Sequence, residues 1–208
     1  MDQKIIYEDK DILVIDKPAG INSDDFERRA HRLDKDTSGV LIIAKNDEAL
    51  VFLQKQFEDR KTLKKYLALV VGRLRDKSGE IETLLGRSPG DRRKQKAYTP
   101  NDPNSEGKRI ATTNYKVLEE FSDYDLIEVE PKTGRKHQIR AHMAYLSHPI
   151  AGDKLYGFKN QPKPEGLKRQ FLHAEYLKIT MPDGEEKEFR SDLPEDLKSV
   201  LEKLKNNK

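Results

Sequence analysis

The nine residues at 31–39, HRLDKDTSG, are all charged or hydrogen-bonding except Leu33 and Gly39, and the apolar run VLIIAK follows at once. Asp34 lies between Arg32 and Lys35 on a turn that opens into a buried strand. A carboxylate so placed is suited to work as an anionic group at the rim of a sheet. The plain alternative is a solvated turn, in which Asp, Ser and Thr side chains satisfy turn amides and Gly39 supplies backbone freedom. Asp34 and Asp36, two residues apart, also raise the question of Mg²⁺. Arg32 and Lys35 supply competing charge there, and no further carboxylate cluster completes an oxygen cage, so metal is the weaker reading.

A second group lies in KTGRKHQIRAH, residues 132–142. On a helix, His137 and Arg140 are three apart and share a face beside an apolar stripe. An arginine at the margin of a buried face needs an anion, because an isolated buried guanidinium is costly. Asp34 is a candidate partner; the alternative is that Arg140 snorkels to water. His137, His142 and His148 lack the i, i+4 spacing of a zinc pair, which argues against a zinc site. Tyr66, in KKYLALV, falls by strand alternation on the face opposite Leu67 and Leu69, where it either joins a core or lines a cleft. Between Arg87 and Lys96, five cations (Arg87, Arg92, Arg93, Lys94 and Lys96) stand against one acid, Asp91. That excess suits a phosphate-tracking patch as well as it suits a solvated loop.

Elements must hold these residues in place. DILVIDKPAG predicts a strand over 12–15 stopped by the Pro18–Gly20 turn, and VLIIAK a buried strand over 40–45. Asn46 is the N-cap of a helix from Asp47 to about Arg60, with acids in its first turn and Leu50, Leu53 and Phe57 facing the core. Strands follow at 64–74 and 79–86, and RSPGDRRKQK is a loop or hairpin tip. RIATTNYKVLEEF and YDLIEVEP form an antiparallel pair through the Ser122–Asp123 turn. After the Thr133–Gly134 turn comes a helix with Ile139, Met143 and Leu146 on one face, then the loop GFKNQPKPEGLKRQ, a strand over 171–182 and a helix from Pro194 to about Lys205. Strands outnumber helices and connections are short. The class is α+β, a single domain over 1–208 built on a large, mainly antiparallel mixed sheet flanked by helices and loops.

Composition excludes several classes. The 208 residues suffice to bury a core, and there is no cysteine, so disulfides, thiolate nucleophiles and Cys-based zinc sites drop out. The net charge of +3 does not by itself imply a nucleic-acid partner. No apolar run approaches the roughly 18–20 residues of a membrane span. MDQKIIYEDKD is too charged for a secretory signal, so a cytoplasmic location is expected.

Together, HRLDKDTSGVLIIAK, KKYLALVVG, KTGRKHQIRAHMAYLSHPIAGD and FLHAEYL, in this order and preceded by DKDILVIDKPAG, closely resemble the motifs of the RluA-type pseudouridine synthases. The likeness covers nearly the whole chain. It implies the pseudouridine synthase fold and the isomerisation of specific uridines in structured RNA (tRNA or rRNA), with neither metal nor organic cofactor. The N-glycosidic bond breaks, the uracil rotates while bound, and a C–C bond forms. By resemblance Asp34 is the catalytic aspartate, Arg140 the arginine that pairs with it, and Tyr66 the aromatic that packs against the target base. Arg32 would fill the stack vacated by a flipped base and Leu172 would wall the pocket; Thr37 and His137 are placed with the substrate-binding residues. The 87–96 stretch becomes a clamp on the RNA backbone.

The chemistry suits those residue types. A carboxylate can attack, or stabilise developing positive charge, at a sugar anomeric carbon. Attack at the sugar, attack at the base and abstraction of a sugar proton all stay open. Arg140 would keep Asp34 ionised and oriented, a task a guanidinium fork performs better than an ammonium. Tyr66 would stack on the extruded uracil. Many members carry an N-terminal S4-type RNA-binding domain; here the motifs begin by Asp9, so its absence is expected, with a monomer whose catalytic domain makes the RNA contacts. Only INSDDFERRA, residues 21–30, separates Gly20 from His31, where the family usually has several tens of residues that help frame the cleft. A shortened segment is expected there. The rival from another class is a non-catalytic RNA-binding module, favoured by that short segment and opposed by the right residue type at every position the chemistry requires. A metal-dependent phosphoesterase is a distant third, which EDTA sensitivity would reveal.

Overall fold

The computed structural model describes residues 3–206. In chain order the elements are β1 (Lys4–Glu8), β2 (Ile12–Lys17), a 3₁₀ turn (Ser23–Asp25), β3 (Ser38–Ala44), α1 (Asp47–Glu58), β4 (Leu63–Val71), β5 (Ser78–Arg87), β6 (Gln95–Tyr98), β7 (Arg109–Glu120), β8 (Tyr124–Pro131), α2 (Gln138–Tyr145), β9 (Leu172–Thr180), β10 (Glu186–Arg190) and α3 (Glu195–Asn206). They gather into two compact units, Met1–Tyr66 with Leu172–Pro194, and Leu67–Phe171 with Glu195–Lys208. The α+β class and mainly antiparallel pairing expected from the sequence hold in each.

In the first unit β3 is the central strand, and its SGVLIIA sequence is buried at all but one position, as a strand covered on both faces requires. β2 pairs with it antiparallel from Ile12↔Ala44 to Lys17↔Gly39, and β1 lines the outer edge of β2. On the other side β9 joins β3 in parallel at Ser38↔His173 and Gly39↔Ala174, and β10 pairs with β9. The parallel contact is so close at Gly39 that an added Cβ would lie 2.1 Å from the Ala174 carbonyl oxygen, and Gly39 also takes φ +118°. Only glycine serves here. One face of the sheet packs Val14, Val40 and Ile42 with Leu53 of α1 and with Leu177 and Phe189; the other packs Ile15, Leu33, Leu41 and Ala174 with Phe26 and Tyr66. Asn46 caps α1 as expected, its Oδ1 accepting the Ala49 N–H at 2.8 Å. The buried Gln56 amide then holds both backbone groups of Thr180 (Nε2 to O 2.7 Å, N to Oε1 3.0 Å), which fixes the helix to β9.

Residues 21–30 form a packed connection. Asn22 caps the 3₁₀ turn, and the buried Ser23 hydroxyl donates to the Leu33 carbonyl (2.8 Å) and accepts its N–H (3.0 Å). Residues 28–30 then run beside β3, with Ala44 N–H to Arg28 O at 2.8 Å and Ala30 N–H to Ile42 O at 3.2 Å.

In the second unit β8, β7, β5 and β6 lie side by side, all antiparallel. The expected β7–β8 hairpin turns at Phe121–Asp123, where the Phe121 N–H meets Tyr124 O at 2.8 Å. The basic stretch is the tip of the β5–β6 hairpin. β4 crosses from one unit to the other after Tyr66, and Ala68–Val71 are buried. α3 buries Leu197, Val200 and Leu201 at helical spacing. No helix of the described residues is long and apolar enough to cross a membrane.

One expectation changes. α2 begins at Gln138, and His137 stands before it in the left-handed region at φ 54°. The shared helical face drawn for His137 and Arg140 therefore does not exist. Leu146, at the C-cap, is only half-buried, whereas Ile139 and Met143 are core residues.

Candidate active site

Asp34 is half-buried and opens a turn that closes when the Thr37 N–H donates to its carbonyl at 3.0 Å. Leu33, Thr37 and Ser38 on either side are buried, which anchors the turn, while Arg32, Lys35 and Asp36 face solvent. Ser38 Oγ meets His173 Nδ1 at 2.9 Å, and His173 Nε2 reaches the Ser191 carbonyl at 3.0 Å. A carbonyl only accepts, so Nε2 carries the proton and Nδ1 accepts from Ser38. Leu172, immediately before, is buried at the start of β9.

Lys17 was not singled out by sequence, yet it is fully buried. Its ammonium donates to the carbonyls of Pro18 (2.9 Å), Ile21 (2.9 Å) and Lys35 (3.2 Å), and the Gly20 N–H reaches the same Lys35 carbonyl at 2.8 Å. Three donors meet three acceptors, and the Pro18–Ile21 turn is tied to the turn that carries Asp34. Tyr66 packs in the same cluster as Leu33. Burial, with the Asp34 charge adding to it, raises the phenol pKa, so the ring stays neutral.

The second unit builds around Arg140. Its Nε and Nη2 form a fork on Asp153 at 2.6 and 2.9 Å, with both side chains buried. Asp153 Oδ1 also accepts the N–H groups of Leu155 (2.9 Å) and Tyr156 (3.0 Å). Burial alone would raise the Asp153 pKa; the Arg140 hydrogen bonds and charge, with the two backbone donors, outweigh it and hold the carboxyl below its ordinary value. The sequence argument that Arg140 needs an anion was sound, and Asp153 supplies one. The guanidinium also lies over the Tyr156 ring, 5.0 Å from its centroid. The Tyr156 hydroxyl accepts the Gln95 N–H at 2.7 Å and meets His137 Nδ1 at 3.0 Å. His137 and Arg140 thus converge on Tyr156, a residue sequence reasoning passed over. Beneath α2, His142 joins Thr83 (3.0 Å) and Thr113 (2.8 Å), and Gln138 joins Thr113 and Thr133. Burial pushes the His142 pKa down to about 4, so it sits neutral in this relay.

On the basic hairpin, Arg87, Arg92, Arg93 and Lys96 are exposed and Lys94 is half-buried. Arg93 forks onto Asp91 (2.7–3.3 Å), and that hydrogen bonding lowers the Asp91 pKa to about 2. Lys96 caps the Tyr98 ring at 4.8 Å. Among the described residues no group of three or more His, Asp and Glu side chains is placed to hold a metal ion.

Residues 28–145, which include the Asp34 turn, Tyr66 and Arg140, match the RNA pseudouridylate synthase family. The chain belongs to that family. It is 44% identical over 177 residues to an uncharacterized RNA pseudouridine synthase of Chloroflexus aurantiacus, covering 85% of this chain and 53% of the relative. It is 35% identical over 234 residues to the ribosomal large subunit pseudouridine synthase D of Nitrosomonas europaea, covering 98% of this chain and 65% of the relative. The chain spans about half to two thirds of the length of these curated relatives. The second match is longer than the 208 residues available, so that relative carries additional residues inside the matched region. Among solved structures, the human RNA pseudouridylate synthase domain containing 1 superposes with a TM-score of 0.83 at 28% identity, over 96% of this chain and 87% of that one.

Proposed function

We propose that this pseudouridine synthase family member isomerises specific uridines in structured RNA, with Asp34 as the catalytic carboxylate. One observation carries the proposal: a half-buried carboxylate on a turn that the buried Lys17 ammonium clamps, with a neutral aromatic, Tyr66, packed beside it. Asp34 supplies negative charge as the N1–C1′ bond breaks. The uracil turns within the pocket, C5 bonds to C1′, the C5 proton leaves and N1 takes up a proton. Substrate and product are isomers, so no electron or atom has to be supplied by a cofactor. Arg140, oriented by Asp153, acts as the cationic partner of Asp34. Tyr66 stacks on the extruded base, Arg32 takes the place it vacates, and Thr37, His137 and Leu172 complete the base pocket. The 87–96 hairpin holds RNA phosphates through Arg87, Arg92, Lys94 and Lys96, with Arg93 joining them where it exchanges Asp91 for phosphate. The substrate is tRNA or rRNA, and the printed name of the Nitrosomonas relative favours rRNA. The enzyme acts in the cytoplasm as a monomer.

The test is release of tritium to water from total RNA labelled at uridine C5. Release by the wild type, unaffected by EDTA, is expected. RNA binding without release would support the non-catalytic module, and EDTA-sensitive RNA cleavage the phosphoesterase.

A further inference from the structure

Against Asp153, the partner of Arg140, lies a groove of about 300 Å³ whose lining includes Lys154, Gly157, Phe158, Gln161 and Lys163. Phe158 on its rim is 52% exposed. An exposed phenyl ring on a loose loop would mean little, but this loop is tied down. The Gly157 N–H donates to Asp153 O at 3.1 Å and the Gln161 N–H to Phe158 O at 3.2 Å. The Gln161 side chain spans the turn, its Nε2 on Ile150 O (3.1 Å) and its Oε1 on the Phe158 N–H (3.3 Å). A Cβ on Gly157 would fall 2.6 Å from Gln161 Oε1 and 2.7 Å from Asp153 O, so the tight turn needs glycine. The backbone beneath the exposed ring is therefore held in place.

The charges around it are one-sided. Lys154, Lys159, Lys163 and Lys168 are exposed, whereas Asp153 is buried against Arg140 and Glu165 is paired with Lys203. An exposed aromatic ring on a tied-down loop among unopposed lysines suits a single-stranded nucleotide: the base stacks and the phosphates meet the cations. We propose that this groove binds an unpaired nucleotide of the substrate RNA, its base on Phe158 and its phosphates on Lys154 and Lys163. Asp153 both holds Arg140 and lines the groove, so the nucleotide lies close to the Arg140–Asp153 fork. That this nucleotide belongs to the substrate rests on the proposed function; the nucleotide site itself does not.

The test uses the full chain carrying Asp34→Asn and a fluorescent single-stranded decauridylate. Phe158→Ala in that background is expected to weaken binding between about fivefold and a hundredfold, and Phe158→Trp to preserve it. Changing both Lys154 and Lys163 to Gln should lower the slope of log affinity against log salt by about 1.4. In the active chain Phe158→Ala should raise KM for RNA and leave kcat within about threefold. Binding, salt slope and KM all unchanged would overturn the site. Decauridylate binding weakened by Phe158→Ala, together with a wild type that releases no tritium, would leave the site standing and remove the proposed activity instead.

Discussion

Replacing Asp153 by Asn tests how Arg140 is held. The asparagine keeps Oδ1 for the Leu155 and Tyr156 N–H groups, so those hydrogen bonds, about 0.5–1.5 kcal/mol each, survive. It keeps one arm of the fork, Nη2 to Oδ1, and loses the other: the amide NH₂ now faces Arg140 Nε, donor against donor, and the buried guanidinium loses the Asp153 charge. Removing one member of a buried pair costs about 3–5 kcal/mol. At this chain length that corresponds to a melting temperature lower by roughly 6–20 °C. Urea and thermal denaturation of the wild type, Asp153→Asn, Arg140→Met and the double variant would measure it. The double variant should be more stable than the sum of the single losses predicts, because neither charge is then stranded. The pH dependence has a fixed sign. The Asp153 pKa is lowered in the fold, so its contribution is present above the ordinary carboxyl value near 3.8 and fades as pH falls below it. Asp153→Asn within about 1 kcal/mol of wild type, or additive single and double variants, would refute the claim that this fork positions Arg140.

Gly39→Ala should destabilise by about 3 kcal/mol or more, read as a lower urea midpoint, since a methyl group would meet the Ala174 carbonyl at a positive φ. His142, with an ordinary pKa of 6.5 and a folded value of about 4, binds fewer protons folded than unfolded between those limits. Stability should therefore fall by about 3 kcal/mol as pH drops from 6.5 to 4; His31, pushed to about 3 by burial and the Lys64 charge, acts in the same direction. A urea series at several pH values on wild type and His142→Gln isolates the His142 part as their difference. Tyr66→Phe keeps the ring and removes a phenol that stays protonated, so tritium release should remain within a few fold, while Tyr66→Ala should lose stacking worth about 1–3 kcal/mol.

Much of the fold was legible because strong periodicity coincided with burial. VLIIAK reads as a buried strand, and β3 buries Val40, Leu41, Ile42 and Ala44 of it; Asn46 with Leu53 announces α1 from both its cap and its core face. The weak strands escaped for the complementary reason. β10, EKEFR, buries only Phe189 and has no other apolar residue, and β1, KIIYE, is an edge strand whose short apolar run, Ile5–Tyr7, is bounded by charge and nowhere fully buried. The start of α2 was misjudged because nothing in KHQ marks a left-handed residue at His137. At the site, Asp34, Tyr66 and Arg140 could be singled out by residue type and motif order. Lys17 and Asp153 could not. A buried lysine that grips carbonyls and an aspartate beside a glycine both look like surface turns until the chain is folded. The demand of Arg140 for an anion was the one clue to Asp153, and the candidate it suggested was Asp34. Tyr156 left no clue, since its role comes from three neighbours distant in sequence, Gln95, His137 and Arg140.

The central claim is that Asp34 carries out the isomerisation. The most direct measurement incubates the wild type and Asp34→Asn with RNA from a strain lacking the protein and maps pseudouridine at single-base resolution. New pseudouridines at defined positions with the wild type, and none with an Asp34→Asn chain that still folds and binds RNA, is the expected result. The same new sites formed by Asp34→Asn would contradict the account.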